Sequence, residues 1–165
     1  MTEHQRIIFN GNGYSDEWVV EAEKRGLPNI KSMIEAASTL TSEKAVALFE
    51  KFGIYTKAEL ESREEIIYET YAKTINIEAL TMIDMAGKQI IPAVVKYTKT
   101  LADTANAIKA AGGDASVQTE LLADVSTKLA AMQKELNKLV ADEKEASAME
   151  DVKAQAFFYK DTIKA

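Results

Sequence analysis

Cysteine is absent from this 165-residue sequence, and histidine occurs once, as His4. Without a thiol the chain cannot form a disulfide, a zinc–thiolate site or a cysteine nucleophile. A single histidine near the start cannot supply the Glu-x-x-His pairs of a di-metal carboxylate bundle, or a Ser-His-Asp triad on the helices. We therefore expect His4 to be a solvated side chain, and we expect no catalytic, cofactor-binding or metal-binding residue.

Long apolar runs are also missing. The most apolar segment, residues 69–97, is interrupted by Lys73, Glu78, Asp84 and Lys88, so no window of about 18 uncharged apolar residues occurs. The chain does not open with a charged-then-apolar leader. We expect neither a membrane span nor a secretory signal, and we take the reducing cytoplasm as the default location.

Neither sign of charge dominates. The 20 basic and 26 acidic side chains give a net charge of −6 and are mixed along the chain. No basic patch for a phosphate backbone results, so we expect no nucleic-acid partner. The run Gly11-Asn12-Gly13 is too short for a dinucleotide fingerprint and lacks the Gly-Lys-Ser/Thr of a phosphate loop, which indicates a turn.

Glycine and proline are scarce, with seven and two residues, and most of them lie before residue 54 or at Gly112-Gly113. This distribution predicts long helices. Before them, residues 6–9 form a β-favouring run closed by an Asn-Gly turn, which predicts a strand or a short extended segment, with a linker as the alternative.

Short helices are predicted in the first third of the chain. Ser15 is a candidate N-cap for a helix that ends near Arg25, before Gly26. Residues 30–40 are ambiguous. Thr41 is predicted to cap a helix that runs to Phe52 and ends at Gly53.

Thr56 and Glu59 have the spacing of a capping box, in which each side chain accepts from the other's backbone amide. The helix that begins there has no strong stop signal until Gly112. Its apolar residues recur every three and four positions, which predicts one broad buried stripe: Tyr68, Tyr71, Ala72, Ile75, Ala79, Met82, Ile83, Ala86, Ile90, Ala93, Val94, Tyr97 and Leu101.

Pro92 lies inside this helical pattern, where proline removes an amide and crowds the preceding turn. Either the helix is kinked or two helices meet there. The apolar periodicity keeps its phase across Pro92, which favours one kinked helix.

After Gly112-Gly113, apolar residues alternate four and three apart, as in a heptad seam: Leu122, Val125, Leu129, Met132, Leu136 and Leu139. The tight glycine turn makes the preceding helix the natural antiparallel neighbour. The charged residues 142–145 interrupt the pattern, which resumes from Met149 to Ile163 in a shifted phase. Either a third helix or a stutter in the second explains this shift.

Together these features predict an all-α fold: an antiparallel helical bundle built on a long kinked helix and a partner helical hairpin, with a short extended N-terminal segment. We expect one domain overall, in which residues 1–55 form a connecting segment with short helices and residues 56–165 form the bundle.

Glu78 lies between Ile75 and Met82 on the apolar stripe. A structural ion pair or a rim position reaching solvent is a better explanation than a general base. Tyr68, Tyr71 and Tyr97 are predicted to be core residues with hydroxyls at a rim.

Three motifs carry a family resemblance: RIIFNGNGYSDEW, then SEKAVALFEKFGIYTKAELESR, then YAKTINIEALTMIDMA with IIPAVVKY. In this order, over residues 3 to about 97, they resemble the C-terminal region of type III glutamine synthetases, the large bacterial form. The remainder of the chain resembles that family less closely.

The resemblance implies that this chain is a C-terminal accessory piece whose ends are cut, with a further helix and tail after Ala165. In that family the ATP, glutamate and metal ligands lie upstream, so no functional residue carries over and no cofactor is expected in this piece. The intact enzyme would make glutamine from glutamate, ammonia and ATP with Mg or Mn, in a multi-subunit ring. The expected partners are the catalytic domain and neighbouring subunits, and the expected role is structural.

Two alternatives remain. A standalone helical protein-interaction or sensor module would dock another helix on its heptad seam and would have a polar outer surface. A small enzyme would need convergent polar groups, which the sequence lacks.

Overall fold

The computed structural model describes Gln5 and residues 7–164, so the prediction for His4 lies outside the described residues. The described part is all-α, as predicted, with no strand. Residues 8–10 are irregular, so the predicted strand is wrong there and the linker alternative fits better. The helices are α1 (Asp16–Lys24), α2 (Met33–Ala37), α3 (Glu43–Lys51), α4 (Lys57–Met85), α5 (Ile91–Ala110), α6 (Ser116–Ser147) and α7 (Val152–Phe158).

The chain divides into two compact units, Met1–Glu64 and Glu65–Ala165. In the first unit, Ile34 of α2 and Leu60 of α4 are fully buried. Phe9 stacks on Trp18 with ring centroids 4.4 Å apart. The boundary predicted at residues 55 and 56 stays a prediction.

Ser15 precedes α1 as predicted, but it does not cap the helix with its side chain. Its hydroxyl instead donates to the Asn12 carbonyl at 2.8 Å, in the turn before the helix. Ser42, not Thr41, is the N-cap of α3, where its Oγ accepts from the Ala45 amide at 3.3 Å. Thr41 donates its hydroxyl to Glu64 at 2.6 Å, and so supplies a partner to that buried carboxylate.

Three helices end at a glycine in the left-handed region, as their sequences predict, and the first is α1, which is followed by Gly26 with φ +68. Gly53 follows α3 with φ +63, and the Ile54 amide donates to the Phe49 carbonyl at 2.9 Å. Gly112 follows α5 with φ +79, and the Gly113 amide donates to the Ile108 carbonyl at 2.9 Å. This third turn reverses the chain, so α6 runs back antiparallel along α5.

The helical backbone continues through Pro92, so the alternative of a break between two helices is wrong. A one-turn π-helical segment, Ala86–Ile90, joins α4 to α5, and the Ile91 amide donates to the carbonyl of Ala86, five residues back. Such widened turns insert one extra residue into a helix. The segment lies just before Pro92. In a regular α-helix the residue at position 92 would donate its backbone amide to the carbonyl of Lys88, and proline has no amide hydrogen to donate.

Helix α6 is unbroken through residues 142–145, so the charged interruption is part of the helix. The chain leaves the helix after Ser147, and Asp151 caps α7 by accepting from the Ala154 amide at 2.7 Å. The shifted apolar phase therefore marks a third helix, not a stutter. A second π-helical segment, Tyr159–Ile163, extends α7.

The apolar stripe of the long helix is buried in its first half. Tyr68, Ala72, Ile75 and Ala79 are at most 5% exposed. After Ala79 the predicted burial is wrong at several positions, because no described helix covers them: Met82 is 62% exposed, Tyr97 49% and Ile90 43%.

The capping box at the start of α4 forms as predicted. The Thr56 amide donates to Glu59 Oε2 at 2.8 Å, and the Glu59 amide donates to Thr56 Oγ1 at 3.3 Å. The bond from the Thr56 amide, followed by that from its hydroxyl, holds the pKa of Glu59 below its ordinary value of 4.5. Because the pKa of Glu59 is lower in the folded chain than in the unfolded chain, its ionised carboxylate stabilises the fold at pH values above the unfolded-state pKa.

We expect this contribution to be lost as the pH falls through the folded-state pKa of Glu59. Glu59→Gln should therefore be less stable than the wild type at about pH 7, and the difference should shrink at about pH 3. Urea unfolding at both pH values measures this change. Glu65→Gln, at an exposed position of the same helix, is the control, and a Glu59→Gln difference independent of pH would contradict the assignment.

Candidate functional site

A polar cluster joins α4 to the C-terminal part of the chain. The Asn76 side-chain amide donates to the Tyr159 hydroxyl at 2.7 Å and to Glu143 Oε1 at 2.9 Å, with Ser147 Oγ at 3.3 Å. The Ser147 hydroxyl in turn donates to Glu143 Oε1 at 2.6 Å. We call these four residues the Asn76 cluster.

Small and aromatic side chains pack beside the Asn76 cluster. Ala72, Ile75, Ala146 and Tyr159 form one buried group, and Ala146 is fully buried. The small Ala146 side chain of α6 is buried in the same group as Ala72 and Ile75 of α4. The Gln155 side chain donates to the Ala146 carbonyl at 2.9 Å, which ties α7 to α6.

A groove of about 510 Å³ lies next to this group, bordered by α4, by α6 and by the C-terminal residues Thr162 and Ile163. Its walls are mostly apolar, from Ile75, Ala79 and Met82 on α4 and from Met132, Leu136 and Leu139 on α6. The three α6 residues belong to the predicted heptad seam, and the structure leaves them only partly buried. The seam of α6 and the stripe of α4 therefore both contribute walls to the groove.

Charged residues of both signs border the groove. Glu78 lines it from α4, Glu135, Lys138 and Asp142 line it from α6, and Lys164 lies at one end. Glu78 is exposed, which confirms the expectation that it reaches solvent at a rim.

The groove offers little for chemistry. Among Gln5 and residues 7–164, no group of three or more His, Cys, Asp or Glu side chains could hold a metal ion. The arrangement suits apolar packing with charged edges. Within the same residues, no helix is both long and apolar enough to cross a bilayer.

The comparisons with known proteins agree with one family. The family model of the glutamine synthetase C-terminal domain matches residues 1–109 of the chain. That is about two thirds of the sequence. This chain belongs to the glutamine synthetase C-terminal domain family. The resemblance carried by the three sequence motifs is thereby confirmed.

Curated relatives match the chain over most of its length. A glutamine synthetase of Butyrivibrio fibrisolvens is 40% identical over 164 residues, which cover 98% of this chain and 23% of the relative. The type-3 glutamine synthetase of Dictyostelium discoideum is 41% identical over 108 residues, which cover 66% of this chain and 15% of the relative. A glutamine synthetase of Bacteroides fragilis (strain YCH46) is 29% identical over 164 residues, which cover 96% of this chain and 22% of the relative. The chain thus spans less than a quarter of each of these relatives.

Sequence reasoning missed the Asn76 cluster. Tyr159 lies within the apolar pattern that resumes between Met149 and Ile163, but Asn76, Glu143 and Ser147 look in the sequence like ordinary solvated helix residues. The one available signal is that Asn76 adjoins Ile75 on the buried stripe. Its partners lie 67 to 83 residues away in sequence, so no local pattern pairs them.

We expect Asn76→Ala to lower the free energy of unfolding by about 1 to 3 kcal/mol, because it leaves the buried Tyr159 hydroxyl without this partner. Denaturant unfolding measures the loss. Asn106→Ala, at an exposed position of α5, should change stability by no more than about 0.5 kcal/mol. Equal stability of Asn76→Ala and the wild type would show that the cluster contributes nothing.

Proposed function

We propose that this chain is the C-terminal helical accessory domain of a glutamine synthetase. The intact enzyme would make glutamine from glutamate, ammonia and ATP, with Mg or Mn bound in its catalytic domain. The chain itself would have a structural and assembly role without catalysis. The observation that carries the proposal is the match of 98% of the chain to only 23% of the Butyrivibrio fibrisolvens enzyme.

The distribution of apolar side chains supports a packing role. Among the described residues, the large apolar or aromatic side chains that are buried number six, whereas 21 are exposed. Seven of the exposed ones fall between residues 77 and 97, the most apolar stretch of the sequence: Ile77, Leu80, Met82, Met85, Ile90, Val95 and Tyr97. Scattered exposed apolar residues are normal, but such a concentration is typical of a surface that another protein surface covers.

The same surface argues against a standalone interaction or sensor module. Such a module would have a polar exterior, and the exposed apolar residues of α4 and α5 do not provide one. The candidate partners are the catalytic domain of the same enzyme and neighbouring subunits. The proposal places the protein in the cytoplasm.

The test separates the chain from the full-length enzyme. The purified 165-residue chain, supplied with glutamate, ammonia, ATP and Mg, should form no glutamine above the blank. The full-length polypeptide should form it, and deletion of the segment that corresponds to this chain should change the number of subunits per particle, which is the particle mass from light scattering divided by the mass of the shortened subunit. Turnover by the isolated chain, or an unchanged number of subunits per particle after the deletion, would contradict the proposed role.

A further inference from the structure

The segment before α1 contains two Asn-Gly pairs, Asn10-Gly11 and Asn12-Gly13, and all four residues are exposed. In such a pair the backbone nitrogen of the glycine can attack the Cγ atom of the asparagine, because glycine has no side chain to hinder the approach. The other asparagines either lie inside helices, where the following amide is already bonded, or precede a β-branched residue: Asn29, Asn76, Asn106 and Asn137.

Hydrogen bonds activate Asn12 for this attack. The Tyr14 amide donates to Asn12 Oδ1 at 3.0 Å, so a donor already lies against the oxygen on which negative charge develops when Cγ is attacked. The Ser15 amide and hydroxyl donate to the Asn12 backbone carbonyl at 3.1 and 2.8 Å. These two bonds polarise the peptide group between Asn12 and Gly13 and make the Gly13 amide proton easier to remove. Asn10 makes no such bond with another described residue.

The two glycines also differ in how open they are. A Cβ atom built on Gly13 would meet no atom of the described residues within 4 Å, whereas one built on Gly11 would lie 2.5 Å from the Phe9 ring. That ring is stacked on Trp18, with centroids 4.4 Å apart, so it is held against Gly11. The backbone at Gly11 therefore has less room to reach the attacking geometry than the backbone at Gly13.

We propose that Asn12 is a site of spontaneous deamidation, which the fold selects over Asn10, with water as the co-reactant. The Gly13 nitrogen gives up its proton and bonds to Asn12 Cγ, and Nδ2 leaves as ammonia, which closes a succinimide ring. Water then adds to one of the two ring carbonyls and breaks its bond to nitrogen, giving aspartate or isoaspartate. The net reaction converts an amide and water into a carboxylic acid and ammonia, and the acid is ionised at neutral pH.

The two products have different effects on the turn. Aspartate keeps an oxygen that accepts from the Tyr14 amide, so the turn is preserved with one more negative charge. Isoaspartate adds one carbon to the backbone between Phe9 and Trp18, which should disturb the stacking of their rings. Because Trp18 is the one tryptophan of the sequence, its fluorescence should change as isoaspartate accumulates.

Incubation of the folded chain at mildly alkaline pH, followed by proteolysis and tandem mass spectrometry, measures the conversion of each asparagine. Asn12 should convert about tenfold or more faster than Asn10. In guanidinium chloride the two rates should become comparable, because neither the hydrogen bonds nor the Phe9 ring then distinguishes the two pairs. Gly13→Val should slow the conversion of Asn12 by about tenfold or more. Asn12→Gln, whose longer side chain cannot close the same ring, should abolish it.

A second variant tests the selection between the two asparagines. Phe9→Ala removes the ring from Gly11 and should raise the conversion of Asn10 relative to Asn12 by about threefold or more. Circular dichroism checks that the variant remains helical. Equal conversion of Asn10 and Asn12 in the folded chain, conversion of Asn12 only in denaturant, or an unchanged ratio in Phe9→Ala would overturn the proposal.

Discussion

The second unit depends on one constraint: α6 is bonded to α4 at the Asn76 cluster and packs along α5 after the turn at Gly112. The Asn76 amide bridges to Glu143 and Tyr159 in that cluster. Buried polar groups cost free energy unless their hydrogen bonds are made, so this cluster specifies one register of α4 against α6 and α7. A purely apolar contact at Ala72 and Ala146 would tolerate sliding by a helical turn, and the polar bonds would not.

The π-helical segment before Pro92 changes which face of the long helix points toward its neighbours. One extra residue in a helix rotates everything that follows by about 100°. The stripe that packs near Tyr159 in α4 is therefore not the same face that packs on α6 in α5. In α5, Leu101 of the predicted stripe and Ala105 outside it are buried, while Ile90 and Tyr97 of the same stripe are exposed, so burial after the π-helical segment does not follow the stripe of α4.

Local features of this fold could be predicted from the sequence, because their partners lie three or four residues apart. The capping box at Thr56 and Glu59 and the glycine ends at Gly53 and Gly112 are of this kind. The same local reasoning could not choose between Thr41 and Ser42 as the N-cap of α3, because both carry a hydroxyl that can cap a helix. Thr41 instead bonds to the carboxylate of Glu64, which is distant in sequence.

The groove could be predicted only in part, for a different reason. Periodicity identified the stripe of α4 and the seam of α6, but a pattern of apolar residues shows that a face needs cover without showing what covers it. Met82 and Leu136 carry the same sequence signal as the buried Ile75, and differ because Ala146 and Tyr159 reach Ile75 alone. An apolar face that exceeds the packing available within the chain leaves apolar surface in water, and periodicity alone does not show whether anything covers that surface.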